Sequence, residues 1–238
     1  MSSPLPSPQE KRTYIQQMFS RIASHYDLMN RLISFGMDNM WREKAVEVLH
    51  PDDAGRYLDI GAGTGDLSLE IRYRAADATI IALDLTQEMV SVGRRKTNQT
   101  GILWVVADAQ ALPFENGIFS GIISGYLLRN VTDITQTLKE QWRVLIPGGQ
   151  TVSLDTTPPG RNALLPFLYV YYRWIIPMLG LFVSGDVEAY TYLPESTRRH
   201  NTAEILALTL AEAGFQSPRF TKLMLGTMAI HTACKPVD

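Results

Sequence analysis

Between residues 9 and 50 apolar side chains return at helical intervals: Tyr14, Met18, Ile22, Tyr26, Met29 and Ile33, then Trp41, Ala45, Val48 and Leu49. The spacing predicts two helices broken at Ser34-Phe35-Gly36. The period then changes. Tyr57-Leu58-Asp59-Ile60 is a short apolar run that ends in Gly61-Ala62-Gly63-Thr64-Gly65, which reads as a buried strand, a tight turn and a helix starting near Asp66. Strands follow at 79–84, 102–107, 118–124 and 150–155, with helices at 87–97 and 132–145, the second stopped by Pro147-Gly148-Gly149. A helical insertion around 161–183 precedes a helix at 202–213 that ends at Gly214. Strands at 216–222 and 227–235 close the chain, near enough in sequence to pair as an antiparallel hairpin. Strands alternating with helices predict an α/β fold, a parallel sheet covered on both faces.

The 238 residues fit one such domain. Its expected parts are N-terminal helices at 1–50, a ligand-binding core at 56–155, a helical insertion at 156–200, and a closing helix and strand pair at 201–238. With 22 Lys and Arg against 24 Asp and Glu the net charge is −2, so the clustered positive charge of a nucleic-acid binder is missing. Cys234 stands alone, which excludes an internal disulfide and a multi-cysteine zinc site; no metal is expected. The Ser/Pro-rich start lacks the basic and apolar regions of a signal peptide, so the expected location is cytoplasmic. Residues 164–183 are apolar over the length of a membrane span, but Arg173 lies in the middle with prolines at 166 and 177. A charge at mid-bilayer costs about 2.5–3.5 kcal/mol on insertion scales, which favours a buried or amphipathic helix, or a surface meeting lipid or a greasy ligand.

The glycine-rich turn carries the first chemical signal. A dinucleotide fingerprint reads G-x-G-x-x-G, with pyrophosphate on the helix N-terminus. This chain has Asp66 at the position of the third glycine, and a carboxylate there is expected to repel pyrophosphate, which argues against a nicotinamide oxidoreductase. S-adenosylmethionine (SAM) has no phosphate; its handles are an ammonium, a carboxylate, a sulfonium and ribose hydroxyls. Asp59, ending the first strand, is expected to face the ammonium, and the backbone of Gly61, Gly63, Thr64 and Gly65 to approach the ligand closely. Asp84 ends the second strand at the spacing at which an acid takes both ribose hydroxyls, with Leu85 beside it. Asp108 closes the third strand, placed to accept from the adenine amine while the Ala109 N–H donates to the ring. Any one of these acids fits a turn or a helix cap; three at successive strand ends point to the ligand edge of an open α/β sheet.

Longer motifs carry a resemblance. Phe19 to Asn30 (FSRIASHYDLMN), Ser34-Phe35-Gly36-Met37 and Trp41-Arg42 closely resemble the N-terminal signature of the quinone C-methyltransferases of menaquinone and ubiquinone biosynthesis. Ala111-Leu112-Pro113-Phe114, Leu128-Arg129-Asn130-Val131-Thr132-Asp133, Arg143 to Gly149, Tyr190 to Ser196 and Ala213-Gly214-Phe215 agree with it. The resemblance implies a class I SAM-dependent methyltransferase with a Rossmann-like seven-stranded sheet, an N-terminal helical lid and a helical insertion after the fifth strand. It implies methylation of a ring carbon of a polyprenylated naphthoquinol, and so a lipophilic quinol partner. Asp38-Asn39-Met40, Gly125 and Tyr126-Leu127 depart from the common pattern, which leaves the particular quinone open. Oligomeric state is open too, a homodimer being one arrangement. Rival readings are a methyltransferase of ubiquinone precursors or of another phenol, sterol or amine, and a non-catalytic scaffold that binds the cofactor.

Methyl transfer to a ring carbon needs a quinol hydroxyl whose proton is taken or whose anion is stabilised, since a phenol ionises near pH 10. Arg129 is the first candidate for the oxyanion, against a plain ion pair with an acid such as Asp133. Asn130 is a candidate for orienting ring oxygens, against an N-cap for the helix that follows. His25 is a candidate base and His200 a candidate at the substrate entrance, whereas His50 and His231 read as structural. Tyr26, Tyr126 and Tyr172 are candidate substrate contacts. Tyr169, Tyr171, Tyr172, Trp174 and Phe182 make an aromatic wall suited to core packing or to an isoprenoid tail, with peripheral membrane contact as its corollary.

Overall fold

The computed structural model describes residues 6–158, 167, 170–183 and 185–237, apart from the side chains of Pro8 and Tyr172. Its N-terminal region is three helices where the periodicity predicts two: α1 (Pro8–Ile22), α2 (Tyr26–Ser34) and α3 (Met37–Leu49). The extra break at Ala23-Ser24-His25 is hidden in the sequence because Ala23 and His25 both keep right-handed helical backbone, so the apolar spacing runs on across it. The predicted break at Ser34-Phe35-Gly36 is real: Phe35 and Gly36 adopt left-handed conformations, and the Gly36 N–H bonds back to the Arg31 carbonyl.

The core alternates β1 (Arg56–Ile60), α4 (Asp66–Arg74), β2 (Thr79–Asp84), α5 (Gln87–Lys96), β3 (Leu103–Val106), β4 (Phe119–Gly125), α6 (Ile134–Val144) and β5 (Leu145–Thr156). A π-helical turn (Tyr171–Ile175) leads into α7 (Ile176–Val183), α8 (Val187–Arg199) and α9 (Ala203–Glu212), and β6 (Gln216–Leu223) and β7 (Met228–Cys234) end the chain. The sheet runs β3-β2-β1-β4-β5-β7-β6. β1 to β5 are parallel, and β7 lies antiparallel between β5 and β6, as the closing hairpin predicts.

Alternation along the strands builds two cores. Tyr57 packs with Trp41, Leu49, Ile71, Ile123 and Ile230 on one face, while Leu58 and Ile60 pack with Phe119, Leu138, Leu206 and Phe215 on the other. A third core joins Ile15, Met18, Ile22 and Met29 of α1 and α2 to Met89 of α5 and to Ile176, Tyr190 and Tyr192 of the insertion. Two details differ from the predicted elements. β5 starts at Leu145, directly after α6, because Leu145 already pairs with Phe119; Pro147-Gly148-Gly149 is an excursion inside the strand, with Gly148 at φ +78. α8 falls within the helical part expected at 156–200 but beyond the helical run read at 161–183, and Pro194 lies inside it. It packs so closely on α7 that a Cβ at Gly180 would fall 2.4 Å from the Tyr190 ring. Residues 159–166, 168 and 169, which hold part of the expected insertion and Tyr169 of the aromatic wall, lie outside the described residues.

Candidate active site

The C-terminal ends of β1 to β4 open into a cavity. Gly61, Gly63, Asp84, Leu85, Asp108, Ala109, Tyr126 and Asn130 line it from the sheet edge. Arg12, Ile15 and Phe19 of α1 and Tyr26 of α2 close it from above. Six of the nine expected cofactor residues therefore share one cavity wall with Tyr26, Tyr126 and Asn130.

The turn after β1 takes its shape from its glycines. Gly61, Gly63 and Gly65 all have positive φ, and a Cβ at Gly61 would lie 2.8 Å from Leu127 and one at Gly65 2.9 Å from Trp104. The bend aims the Gly63 N–H at Asp84 Oδ2, 2.8 Å away, while Asp84 Oδ1 accepts from the Thr86 N–H at 2.8 Å. Burial still holds the Asp84 carboxyl above its ordinary pKa. Asp108 accepts from the Gln110 N–H at 2.9 Å and pairs with the Arg12 guanidinium at 3.0 Å, so α1 is tied across the mouth.

Asp59, Thr64 and Gly65 stand behind the wall rather than on it. Asp59 is fully buried on the α4 side of β1, its Oδ2 accepting from the Ser68 N–H at 3.1 Å and the Ser68 hydroxyl at 2.7 Å. It thereby caps a helix whose own cap residue, Gly65, has no side chain. Its Oδ1 has no partner, and burial raises the carboxyl to about 7 despite the Ser68 bonds. The Thr64 hydroxyl donates to Asp27, which also binds Lys96 at 2.6 Å, so α2 is fastened to the glycine turn.

Several expectations change. Asp66 does not face the cavity with a free charge. It is paired with Lys96 and, at 3.6 Å, with Arg42, and although burial works against its charge, Arg42 and Lys96 hold its pKa below the ordinary carboxylate value. Repulsion of pyrophosphate by Asp66 is therefore not what shapes this site; the carboxylates on the cavity wall are Asp84 and Asp108. His25 is off the cavity wall, its Nδ1 3.0 Å from the Ser24 hydroxyl at the α1–α2 junction. Arg129 pairs with Asp155 rather than Asp133: its Nε lies 3.3 Å from Asp155 Oδ1, and both side chains are buried. Asp133 instead caps α6, which removes the capping role considered for Asn130. The Asn130 amide donates to the Tyr126 carbonyl at 2.8 Å, leaving its buried Oδ1 without a partner. Tyr126 has an unusual φ of +58, and its ring lies 5.7 Å from the Arg129 guanidinium and 5.8 Å from that of Arg42. His200 ends α8 and lies off the cavity wall, and the side chain of Tyr172 lies outside the described residues. His50 caps α3 in a left-handed conformation, and His231 Nε2 meets the Ala203 carbonyl at 3.0 Å, both structural as read.

Sequence reasoning missed Lys11, Arg12 and Asp155. Asp155 had a signal, since it ends a strand as Asp59 and Asp84 do. Lys11 and Arg12 had none, because only the docking of α1 brings them to the edge; the Lys11 ammonium donates to the carbonyls of Arg129 at 3.0 Å and Val131 at 2.6 Å.

The family described as the ubiE/COQ5 methyltransferase family matches residues 7–235. The chain belongs to that family. Similar family proteins include the ubiquinone/menaquinone biosynthesis C-methyltransferase UbiE of Desulfotalea psychrophila, 40% identical over 93% of this chain and 90% of that one. Another is the demethylmenaquinone methyltransferase of Thermus thermophilus, 41% identical over 92% of this chain and all of that one. Among solved structures, a SAM-dependent methyltransferase of Thermotoga maritima, described as a possible histamine N-methyltransferase, superposes with a TM-score of 0.66 at 19% identity, covering 93% of this chain and 99% of that one. That likeness places this ubiE/COQ5 family member in the class I methyltransferase fold.

Proposed function

We propose that this chain transfers a methyl group from SAM to a ring carbon of a polyprenylated naphthoquinol, as in menaquinone or phylloquinone synthesis. The observation that carries the reading is the meeting of two carboxylates, Asp84 and Asp108, with Tyr126 and with Asn130 of the Leu-Arg-Asn segment on one cavity wall. The names of the curated relatives supply the quinone.

The donor set fits SAM. Asp84 would take the ribose hydroxyls beside Leu85. Asp108 would accept from the adenine amine with the Ala109 N–H on the ring, and the turn at Gly61 to Gly65 would hold the amino-acid end. The partnerless Oδ1 of Asp59 answers to a cation nearby, met directly or through water. When bound, SAM supplies an electrophilic methyl on a sulfonium. Around it the protein's task is positioning and the exclusion of water, because an anionic ring and a cationic donor attract more strongly at low dielectric than in water. α1 covers the cavity with Ile15 and Phe19, and the Asp27–Thr64 and Lys96 contacts hold α2 down on the turn. Arg129, fixed by Asp155, offers positive charge next to Tyr126 for a developing ring oxyanion. Asn130 Oδ1 is a fixed acceptor for a ring hydroxyl, its amide locked by the Tyr126 carbonyl.

A membrane surface supplies the substrate. Leu28 and Leu32 on α2, Phe35 just after it, and Trp174, Met178, Leu181 and Phe182 of the insertion are exposed. The Tyr171 hydroxyl joins the two groups by donating to the Ile33 carbonyl at 2.6 Å. Exposed Arg31 and Arg173 flank them, which suits an anionic bilayer in which a polyprenyl tail stays dissolved. No helix among the described residues is long and apolar enough to cross a membrane.

The test is to incubate purified protein with methyl-labelled SAM and reduced demethylnaphthoquinone and to identify the product by mass spectrometry. A ring-methylated quinol is expected. Label on oxygen, or transfer only to ring-free amines, would overturn the reading.

A further inference from the structure

Tyr126, the first residue past β4, holds a left-handed φ of +58, which is costly for any side chain with a Cβ. Two hydrogen bonds keep it there: its N–H donates to the Leu154 carbonyl at 2.7 Å, and its own carbonyl accepts from the Asn130 amide at 2.8 Å. Tyr126 lines the cavity, with the guanidiniums of Arg42 and Arg129 lying 5.8 and 5.7 Å from its ring centre. Both arginine side chains are buried and off the cavity wall, Arg42 held by Asp38 and Arg129 by Asp155. Tyr126 thus meets both charges and the cavity. Among the described residues none hydrogen-bonds its hydroxyl. A strained backbone and an uncommitted phenol on a ligand-facing wall call for a ligand that uses the phenol.

We propose that Tyr126 is a specificity-determining residue: its hydroxyl donates to one ring oxygen of the aromatic substrate while Asn130 Oδ1 accepts from the hydroxyl of the other, so that this wall selects a ring carrying two oxygens. The inference deepens the quinol reading above and rests on it. Tyr126 keeps its proton throughout; its part is to recognise and position the ring.

The two groups are chemically complementary. Asn130 spends its amide on the Tyr126 carbonyl and offers an acceptor, so it asks for a ring O–H. Tyr126 offers a donor. Burial holds its phenol above the ordinary pKa, so the proton stays on at neutral pH, and the two nearby cations draw density from the ring and polarise the O–H. A ring oxygen accepts in each form it takes during methyl transfer, as hydroxyl, anion or carbonyl. The Tyr126 bond therefore persists along the reaction and holds the attacking carbon in line with the methyl. A ring with a single oxygen satisfies one of the two groups and leaves the other without a partner, which is how a site rejects a ligand that lacks the matching oxygen.

The test measures binding of two stand-in rings to the full chain with S-adenosylhomocysteine present and oxygen excluded: 1,4-naphthalenediol, which has two oxygens, and 1-naphthol, which has one. Calorimetry should show the wild type holding the diol about tenfold more tightly than 1-naphthol, and Tyr126→Phe holding the two within about twofold of each other. Phenylalanine keeps the ring, the left-handed backbone and both cation contacts, so a purely structural role would leave the wild-type ratio in place. Affinity for S-adenosylhomocysteine should not change. With saturating SAM and demethylnaphthoquinol, Tyr126→Phe should lose about tenfold or more in kcat and keep its KM for SAM. Equal affinity for the two rings in the wild type, a wild-type ratio in the variant, or wild-type kcat in the variant overturns the inference, and the first of these needs no variant to fold. If the wild type methylates the quinol yet holds the two rings equally, Tyr126 alone is misassigned; if it prefers the diol but methylates no quinol, the substrate reading falls while the two-oxygen preference of this wall stands.

Discussion

Asp59→Asn isolates a charge that the fold keeps at a cost. The carboxyl is fully buried, one oxygen serves Ser68, the other has no partner, and its pKa is raised to about 7. An acid whose pKa is higher folded than unfolded adds stability that is complete below its unfolded value near 4 and is lost as pH rises through about 7. At about 1.4 kcal/mol per unit, the roughly 1.5 units between pH 5.5 and 7 correspond to about 2 kcal/mol of lost stability in the cofactor-free wild type. Asparagine cannot ionise, so its stability lacks this term. Its amide donor, set where Oδ1 has no partner, costs about 1–3 kcal/mol at every pH. The diagnostic quantity is therefore the change in the gap with pH. Urea midpoints at pH 5.5, 6.5 and 8 should show the variant gaining about 2 kcal/mol on the wild type and then levelling off. SAM added at pH 8 should stabilise the wild type more than the variant, because its ammonium meets the ionised carboxylate. A gap that is constant with pH, or that widens in favour of the wild type, would refute the electrostatic account of Asp59.

Asp84→Ala should leave the fold intact and weaken SAM by about 2 kcal/mol, some 30-fold, if its carboxylate takes the ribose hydroxyls; unchanged affinity by calorimetry rules that out. Arg12→Ala breaks an ion pair whose arginine is 57% exposed, so stability should move by less than about 1 kcal/mol. The same change frees Asp108 for adenine and should tighten SAM severalfold, most at low salt; weaker binding would instead make Arg12 a ligand contact. Arg129→Lys keeps the charge beside Asp155 but loses the planar fork, and kcat should fall by about 10- to 100-fold with SAM affinity unchanged. Equal loss of both would show Arg129 acting through the fold alone.

The alternation of strands and helices and the ligand edge were legible because they rest on local chemistry: short apolar runs, the G-x-G-x-G turn, and acids at strand ends. What was not legible depends on partners brought from a distance. The kink at Ala23 to His25 leaves the apolar spacing intact, so no sequence pattern shows it. Pro147-Gly148-Gly149 reads as a loop, yet β5 passes through it because backbone bonds tie it to Lys235, Gly148 N–H to the Lys235 carbonyl at 3.0 Å and Lys235 N–H to the Gly149 carbonyl at 2.8 Å. Asp66 looked like a bare carboxylate until α3 and α5 brought Arg42 and Lys96 to it.

The four strand-end acids make the same point about function. Asp59 meets Ser68, Asp84 meets two backbone N–H groups, Asp108 meets Arg12, and Asp155 meets Arg129. Sequence puts all four on one edge, but their partners decide what each can do. The Arg12 pair is exposed and weak, so a ligand amine can displace it at little cost. The Arg129 pair is buried on both sides, and separating it would leave a charge stranded at about 3–5 kcal/mol. A substrate must therefore come to Arg129 as the pair already holds it, whereas the cofactor can dismantle the Arg12 contact on entry. The exchangeable acid and the fixed one thus divide the edge into a side that opens for the cofactor and a side pre-set for the ring.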